Sequence, residues 1–175
     1  MQAHVSLRRL YVLFLIHHGS RRVFVSGVTG NPTRQWVAQQ ARYVTPALAG
    51  AGVRTRYLLR DRDDKFGPAF DALWEGEGGI VVRTPIRAPD ANAVAERRVR
   101  TAHSECADRL LILNERHLQR VLEPYVRHNN EHRPHRSLQL RAPLQHMTRA
   151  PSAVTIASIR GRQVLGGLIN EYHAA

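Results

Sequence analysis

A chain of 175 residues that is 43% apolar is long enough to bury one core and too apolar for a disordered segment. Its net charge of +12 favours an anionic partner, of which nucleic acid is the commonest. Of the 26 basic residues only Lys65 is lysine, an arginine bias that a GC-rich genome also produces, so charge alone nominates a partner class and no more. The lone Cys106 rules out an internal disulfide and suits a reducing compartment. No apolar run is long enough to span a bilayer. Arg8-Arg9 before Leu10–Ile16 has the start of an export signal. His17-His18-Gly19-Ser20-Arg21-Arg22 follows, however, where a small-residue cleavage site belongs, and the expected location is cytoplasmic.

In chain order, Leu10–Ile16 and Val23–Val28 read as two strands joined by a turn at His18-Gly19-Ser20. Thr33 can cap a helix from Arg34 to about Gly50, whose Val37, Ala41, Val44 and Leu48 share one face. Pro46 inside it predicts a kink or an early stop. Val53–Leu59 reads as a strand, Phe66–Trp74 as a short helix and Gly79–Val82 as another strand. A helix from Ala93 to about Leu111 follows, then one capped by Asn114 that reaches about Asn129. Pro134 bars its continuation. Beyond Leu140 the chain reads as a linker, and the tail Val164–Tyr172 as an added strand or a segment that packs back. This order is α/β.

The stretch that organises the chain runs from Leu58 to Glu96. Asp61 ends a strand and Glu96 sits in the first turns of a helix, an arrangement that can converge at the sheet edge where α/β proteins build sites. Asp61-Arg62-Asp63-Asp64-Lys65-Phe66, then Pro89-Asp90-Ala91-Asn92-Ala93-Val94-Ala95-Glu96, then Tyr125 to Leu138 with His132-Arg133-Pro134-His135 form an ordered set. Together they resemble the integrase catalytic core (DDE-type) of insertion-sequence transposases and retroviral integrases.

The resemblance implies a ribonuclease-H-like α/β fold: a mixed five-stranded sheet with flanking helices. It implies DNA as substrate and Mg²⁺ (or Mn²⁺) as cofactor, held by Asp61 and Glu96, with Asp63 as second choice. Arg100 and His103, at i+4 and i+7 from Glu96, and Lys65 become candidate DNA contacts. The family uses a further carboxylate on its first strand, yet residues 1–60 contain no Asp or Glu. Two divalent ions about 4 Å apart repel by ~17 kcal/mol at an effective dielectric near 20. Two carboxylates do not offset that, so one weakly held ion and crippled catalysis are expected. By the same alignment the central first strand is mostly absent, the core (1–140) is incomplete, and 141–175 is linker and tail. The family's helix-turn-helix region is not seen either.

Other readings compete residue by residue. Arg60 to Asp64 can be a salt-bridged surface turn, worth under about 1 kcal/mol per pair. Glu96 can pair with Arg100 at i, i+4, worth about 0.2–0.5 kcal/mol. Arg100 and His103 can be a solvated face. His128, His132 and His135 suggest zinc, but lack a nearby cysteine and straddle Pro134; packing or DNA contact fits them better. Cys106 on an apolar helix reads as core. The resulting expectation is a transposase core for DNA transposition and integration, truncated and catalytically impaired, and able to form homo-oligomers. The alternatives are a non-catalytic nucleic-acid-binding fragment and, further off, a ribonuclease-H-like nuclease of other biology.

Overall fold

A computed structural model describes residues 9–85, 92–145 and 159–174. Met1–Ser6, the Pro89-Asp90-Ala91 part of the second motif and Pro151 lie outside them. The chain opens with an antiparallel hairpin of β1 (Tyr11–Ile16) and β2 (Val23–Thr29), as the two apolar runs predict. The register shifts between Leu13 and Phe14, which face Gly27 and Val25, so Ser26 is the extra residue of a bulge. The bulge turns Ser26 toward the next helix, where its hydroxyl donates to the Gln40 carbonyl at 2.6 Å.

That helix, α1, spans Arg34–Gly50, and Thr33 caps it by accepting from the Trp36 N–H at 3.1 Å. Pro46 does not stop it. The proline is exposed, so its ring meets water, while Val37, Ala41, Val44 and Leu48 stay buried on the opposite face. Burying such side chains is worth about 1.5–3 kcal/mol each, which outweighs one forfeited backbone hydrogen bond.

The third strand is shorter than its apolar run. Only Tyr57–Arg60 (β3) pairs, in parallel, with β4 (Ile80–Arg83). The helix between them, α2, spans Pro68–Gly76, starting later than Phe66 because Pro68 suits a first helical turn. A Cβ on Gly79 would lie 3.0 Å from the carbonyl oxygens of Thr55 and Trp74, so the entry to β4 needs a glycine. Phe70 and Trp74 of α2 join the α1 face in the main core, and Leu13, Leu15, Leu58 and Val81 pack onto it from the strands.

Helix α3 (Ala93–Glu105) ends at Cys106, short of Leu111, and a 3-10 turn at residues 107–109 follows. Helix α4 (Glu115–Glu131) is capped by Asn114, which accepts from the His117 N–H at 2.8 Å. Cys106, Val121 and Tyr125 form a second, smaller core, so Cys106 is the packing residue its apolar setting predicts. The tail becomes a hairpin of β5 (Ile159–Val164) and β6 (Ile169–Ala174), turning at Gly166 and Gly167 with φ of 66° and 90°. Its Leu165 and Ile169 pack back on the second core.

Among the described residues the strands form three two-stranded sheets, and the molecule is a mixed α/β protein. The continuous five-stranded sheet implied by the resemblance is not seen among the described residues. No described strand lies between β1 and β3, and that space is open.

Candidate functional site

The open space is a groove of about 1040 Å³, walled by β1 on one side and β3 on the other. Trp36, Val37, Leu48 and Phe70 line it, as do Val94, Val99 and Arg100 of α3. Asp61 and Glu96 both open onto it, so the two acids that sequence spacing singles out share one cavity.

The segment that carries Asp61 is held from below. Arg60 is buried, and its guanidinium meets Asp71 of α2 through two hydrogen bonds of 2.8 and 2.7 Å. Arg83, from the end of β4, adds a third at 2.9 Å. The Arg60 guanidinium, followed by Arg83, holds the Asp71 carboxyl below the usual carboxylate range against the opposing effect of burial. Arg60 also donates to the Asp61 carbonyl at 2.9 Å, and Arg62 to the Thr84 carbonyl at 2.9 Å. The strand end therefore cannot swing freely, and Asp61 projects from a fixed point. Sequence reading missed Asp71. An acid on an otherwise apolar helix face, eleven positions from a strand-ending arginine, was the available signal.

Within the turn, Asp61 Oδ1 accepts from the Asp63 N–H at 3.1 Å. Asp63 itself is engaged by Lys65, whose ammonium lies 3.0 and 2.9 Å from its two oxygens. That contact lowers the Asp63 pKa and raises that of Lys65. Lys65 also lies over the Tyr11 ring. The part of the turn that is salt-bridged is thus Asp63–Lys65, not Asp61. The Asp64 carbonyl accepts from Arg34 at 2.7 Å.

On α3, Glu96 and Arg100 form no ion pair with each other, and among the described residues neither has a hydrogen-bond partner. His103 lies 3.3 Å from Asp108. Of the three candidate DNA contacts, Arg100 opens on the groove with its charge unpaired, Lys65 is paired at its rim, and His103 does not line it.

The third motif does structural work. Asn130 accepts from the Val23 N–H and donates to the Val23 carbonyl, both at 2.9 Å, closing the start of β2 as a strand would. Arg133 grips Glu105 at the end of α3 through both guanidinium nitrogens, and Tyr125 donates to the same carboxylate at 3.3 Å. Burial, then the Glu105 charge, pushes the Tyr125 phenol up to about 12. His135 is pushed down to about 4 by burial and by the cations Arg98, Arg133 and Arg21. His128 and His132 stack with ring centroids 6.2 Å apart and both approach buried Glu171 of β6, His128 at 3.1 Å. His135 belongs to the other cluster, and among the described residues no group of three or more His, Cys, Asp or Glu is arranged to hold a metal ion.

Asp61 and Glu96 are hard oxygen donors, the chemistry Mg²⁺ takes, and an octahedral ion is commonly held by one or two carboxylates with waters and substrate phosphates completing it. The donor chemistry of these residues is of the kind one such ion takes. A second, about 3.5–4 Å away, would need a further carboxylate, and Asp63, which lines the same groove, is held by Lys65.

These features define a basic α/β protein with an acid-lined groove at a strand end, onto which Asp61, Asp63 and Glu96 open. Residues 81–143 match the family model described as integrase core domain. The match covers roughly a third of the chain and contains the second and third motifs whole, so the integrase-core resemblance stands for that segment. Asp61 lies outside it. None of the curated proteins matches the chain. Among the described residues no helix is long and apolar enough to cross a membrane.

Proposed function

We propose that this chain is a DNA transposase or integrase core of the ribonuclease-H-like fold, in which Asp61 and Glu96 hold one divalent ion, Mg²⁺ or Mn²⁺. The observation that carries the reading is the opening of both acids onto one groove, in a chain whose 81–143 segment is integrase-like. The catalytic unit is assigned to residues 1–140, with 141–175 as an accessory tail. The ion, when bound, would polarise a DNA phosphate and lower the pKa of its water. The chain's own part is to fix Asp61 through the Arg60–Asp71 pair and to present Arg100 to a phosphate. With two carboxylates the predicted rate is low: one ion cannot activate the nucleophile and stabilise the leaving oxygen at once.

The test is nicking and strand transfer on short duplexes with Mg²⁺ or Mn²⁺, with Asp61→Asn and Glu96→Gln as controls. Weak metal-dependent nicking lost in both variants supports the reading. A second reading, a nucleic-acid binder that does not cut, is favoured by the lack of any three-ligand cluster among the described residues. It predicts DNA binding that weakens steeply with salt and no cleavage at any metal concentration. Arg100→Ala then lowers the salt slope by about one. Absence of both binding and cleavage would sink both readings.

A further inference from the structure

Helix α4 carries a row of arginines that does nothing for the helix itself. Its buried residues are Leu118, Val121, Tyr125 and Asn129. At about 100° per residue, Arg116, Arg120 and Arg127 fall within roughly 40° of the line opposite them, and all three are exposed. Arg116 and Arg120, at i and i+4, repel one another. Arg116 also stands in the first turn, where the helix dipole is positive and a cation is unfavourable. Glu123 shares this face, three positions after Arg120 and four before Arg127, the order that favours a pair. Among the described residues, however, none of the three arginines forms an ion pair, and Arg120 donates instead to the Arg116 carbonyl at 3.4 Å. A face laced by intrahelical salt bridges would be ordinary solvated surface; this one leaves its cations open.

The row lies away from the acid-lined groove. Arg98 of α3 donates to Asn129 on the inner face of α4. Glu96 and Arg100, two positions to either side of Arg98, turn roughly 160–200° away from that contact. The groove and the arginine row are therefore on opposite sides of the α3–α4 pair. The arginines are spaced roughly 6 and 10 Å apart along the axis, about 17 Å in all. Each strand of duplex DNA presents a phosphate about every 3.4 Å of its axis, so a row of this length meets several. No aromatic residue of α4 lies on this face, so it offers the bases of a single strand nothing to stack on.

We propose that the outer face of α4 is a second nucleic-acid surface, where Arg116, Arg120 and Arg127 hold the phosphate backbone of duplex DNA without reading its sequence. Contacts of this kind fix position and carry no base information. The surface stands on its own charge and does not depend on the groove cutting DNA.

The test titrates the full chain against a fluorescein-labelled 20-base-pair duplex by fluorescence anisotropy, without metal, from 50 to 200 mM salt. The first variant replaces Arg116, Arg120 and Arg127 by Gln, a good helix former at exposed positions. A control variant replaces exposed Arg42, Arg136 and Arg160 by Gln and so loses the same charge elsewhere. The first variant is expected to lower the slope of log K against log salt by about 2.7, and to weaken binding on the order of a hundredfold at 0.1 M salt. The control shifts the slope by less than about one. Glu123→Gln, which removes the acid from the same face, tightens binding severalfold. Shuffling the duplex sequence changes nothing. Equal loss in both triple variants would reduce the effect to net charge and overturn the proposal. Unchanged binding in the first variant, tighter binding of single strands than of duplex, or no binding by the parent chain would do the same. Asp61→Asn combined with Glu96→Gln leaves the slope in place, so the groove's reading fails or holds by nicking alone.

Discussion

The acids of the groove and the acids beneath and beside it are the same chemistry put to opposite uses. Asp71 and Glu171 are buried, 7% and 3% exposed, and each is ringed by cations. Asp61 and Glu96 are exposed and meet no cation within ion-pair distance among the described residues, in a chain of net charge +12. Other described acids, Glu75, Glu77 and Glu123 among them, also form no ion pair; what distinguishes Asp61 and Glu96 is that both line one groove. The paired acids hold the fold; the role proposed for these two is to offer their lone pairs to an ion from solution.

Removing a paired acid should therefore harm the fold, and removing a groove acid should not. The largest effect is expected for Asp71→Ala, which strands buried Arg60 without its counter-charge. Unfolding in urea should show a loss of about 3–5 kcal/mol. Because the Asp71 pKa is lowered in the fold, its contribution is complete above the unfolded value near 3.9. It disappears as pH falls through the folded pKa.

Next comes His135. Its folded pKa of about 4 lies below the unfolded value near 6.5, so the fold favours the neutral ring. Stability should be complete above pH 6.5 and decline toward pH 4, by about 1–3 kcal/mol, as protons bind the unfolded chain first. Replacing His135 by Gln should flatten the urea midpoint against pH in that window. An unchanged slope would place the titration elsewhere.

The smallest stability effect belongs to Asp61→Asn and Glu96→Gln, expected within about 0.5 kcal/mol of the parent. If either unfolds the protein, the contrast between the two sets of acids fails. If neither does while metal-dependent nicking stops, it sharpens.

Local signals were well read where one physical cause decides them. The Thr33 and Asn114 caps, the α1 face and the β1–β2 hairpin follow from side-chain chemistry within a few positions, and all are present. Pro46 misled because its penalty is local whereas the burial that overrides it is tertiary. β3 is shorter than its apolar run because pairing, not composition, sets a strand's length, and β4 offers four partners. Motif spacing singles out Asp61 and Glu96 together, and both line one groove, while their role as ligands is the proposal. Asp71 was not legible, since nothing in a sequence announces which of many arginines will be buried beside it. The roles of Asn130 and Arg133 were hidden too: their motif marks a site-bearing family, but what they touch here is Val23 and Glu105.

The Asn130 clamp on Val23 sets a schedule for folding. Its partners are 107 positions apart, so the start of β2 stays unfinished until α4 exists. On a ribosome adding about 5–20 residues per second, that leaves the first hairpin waiting roughly 5–20 s with both edges bare. Nascent chains of this protein thus pass through an interval in which the start of β2 lacks the partner that α4 later supplies.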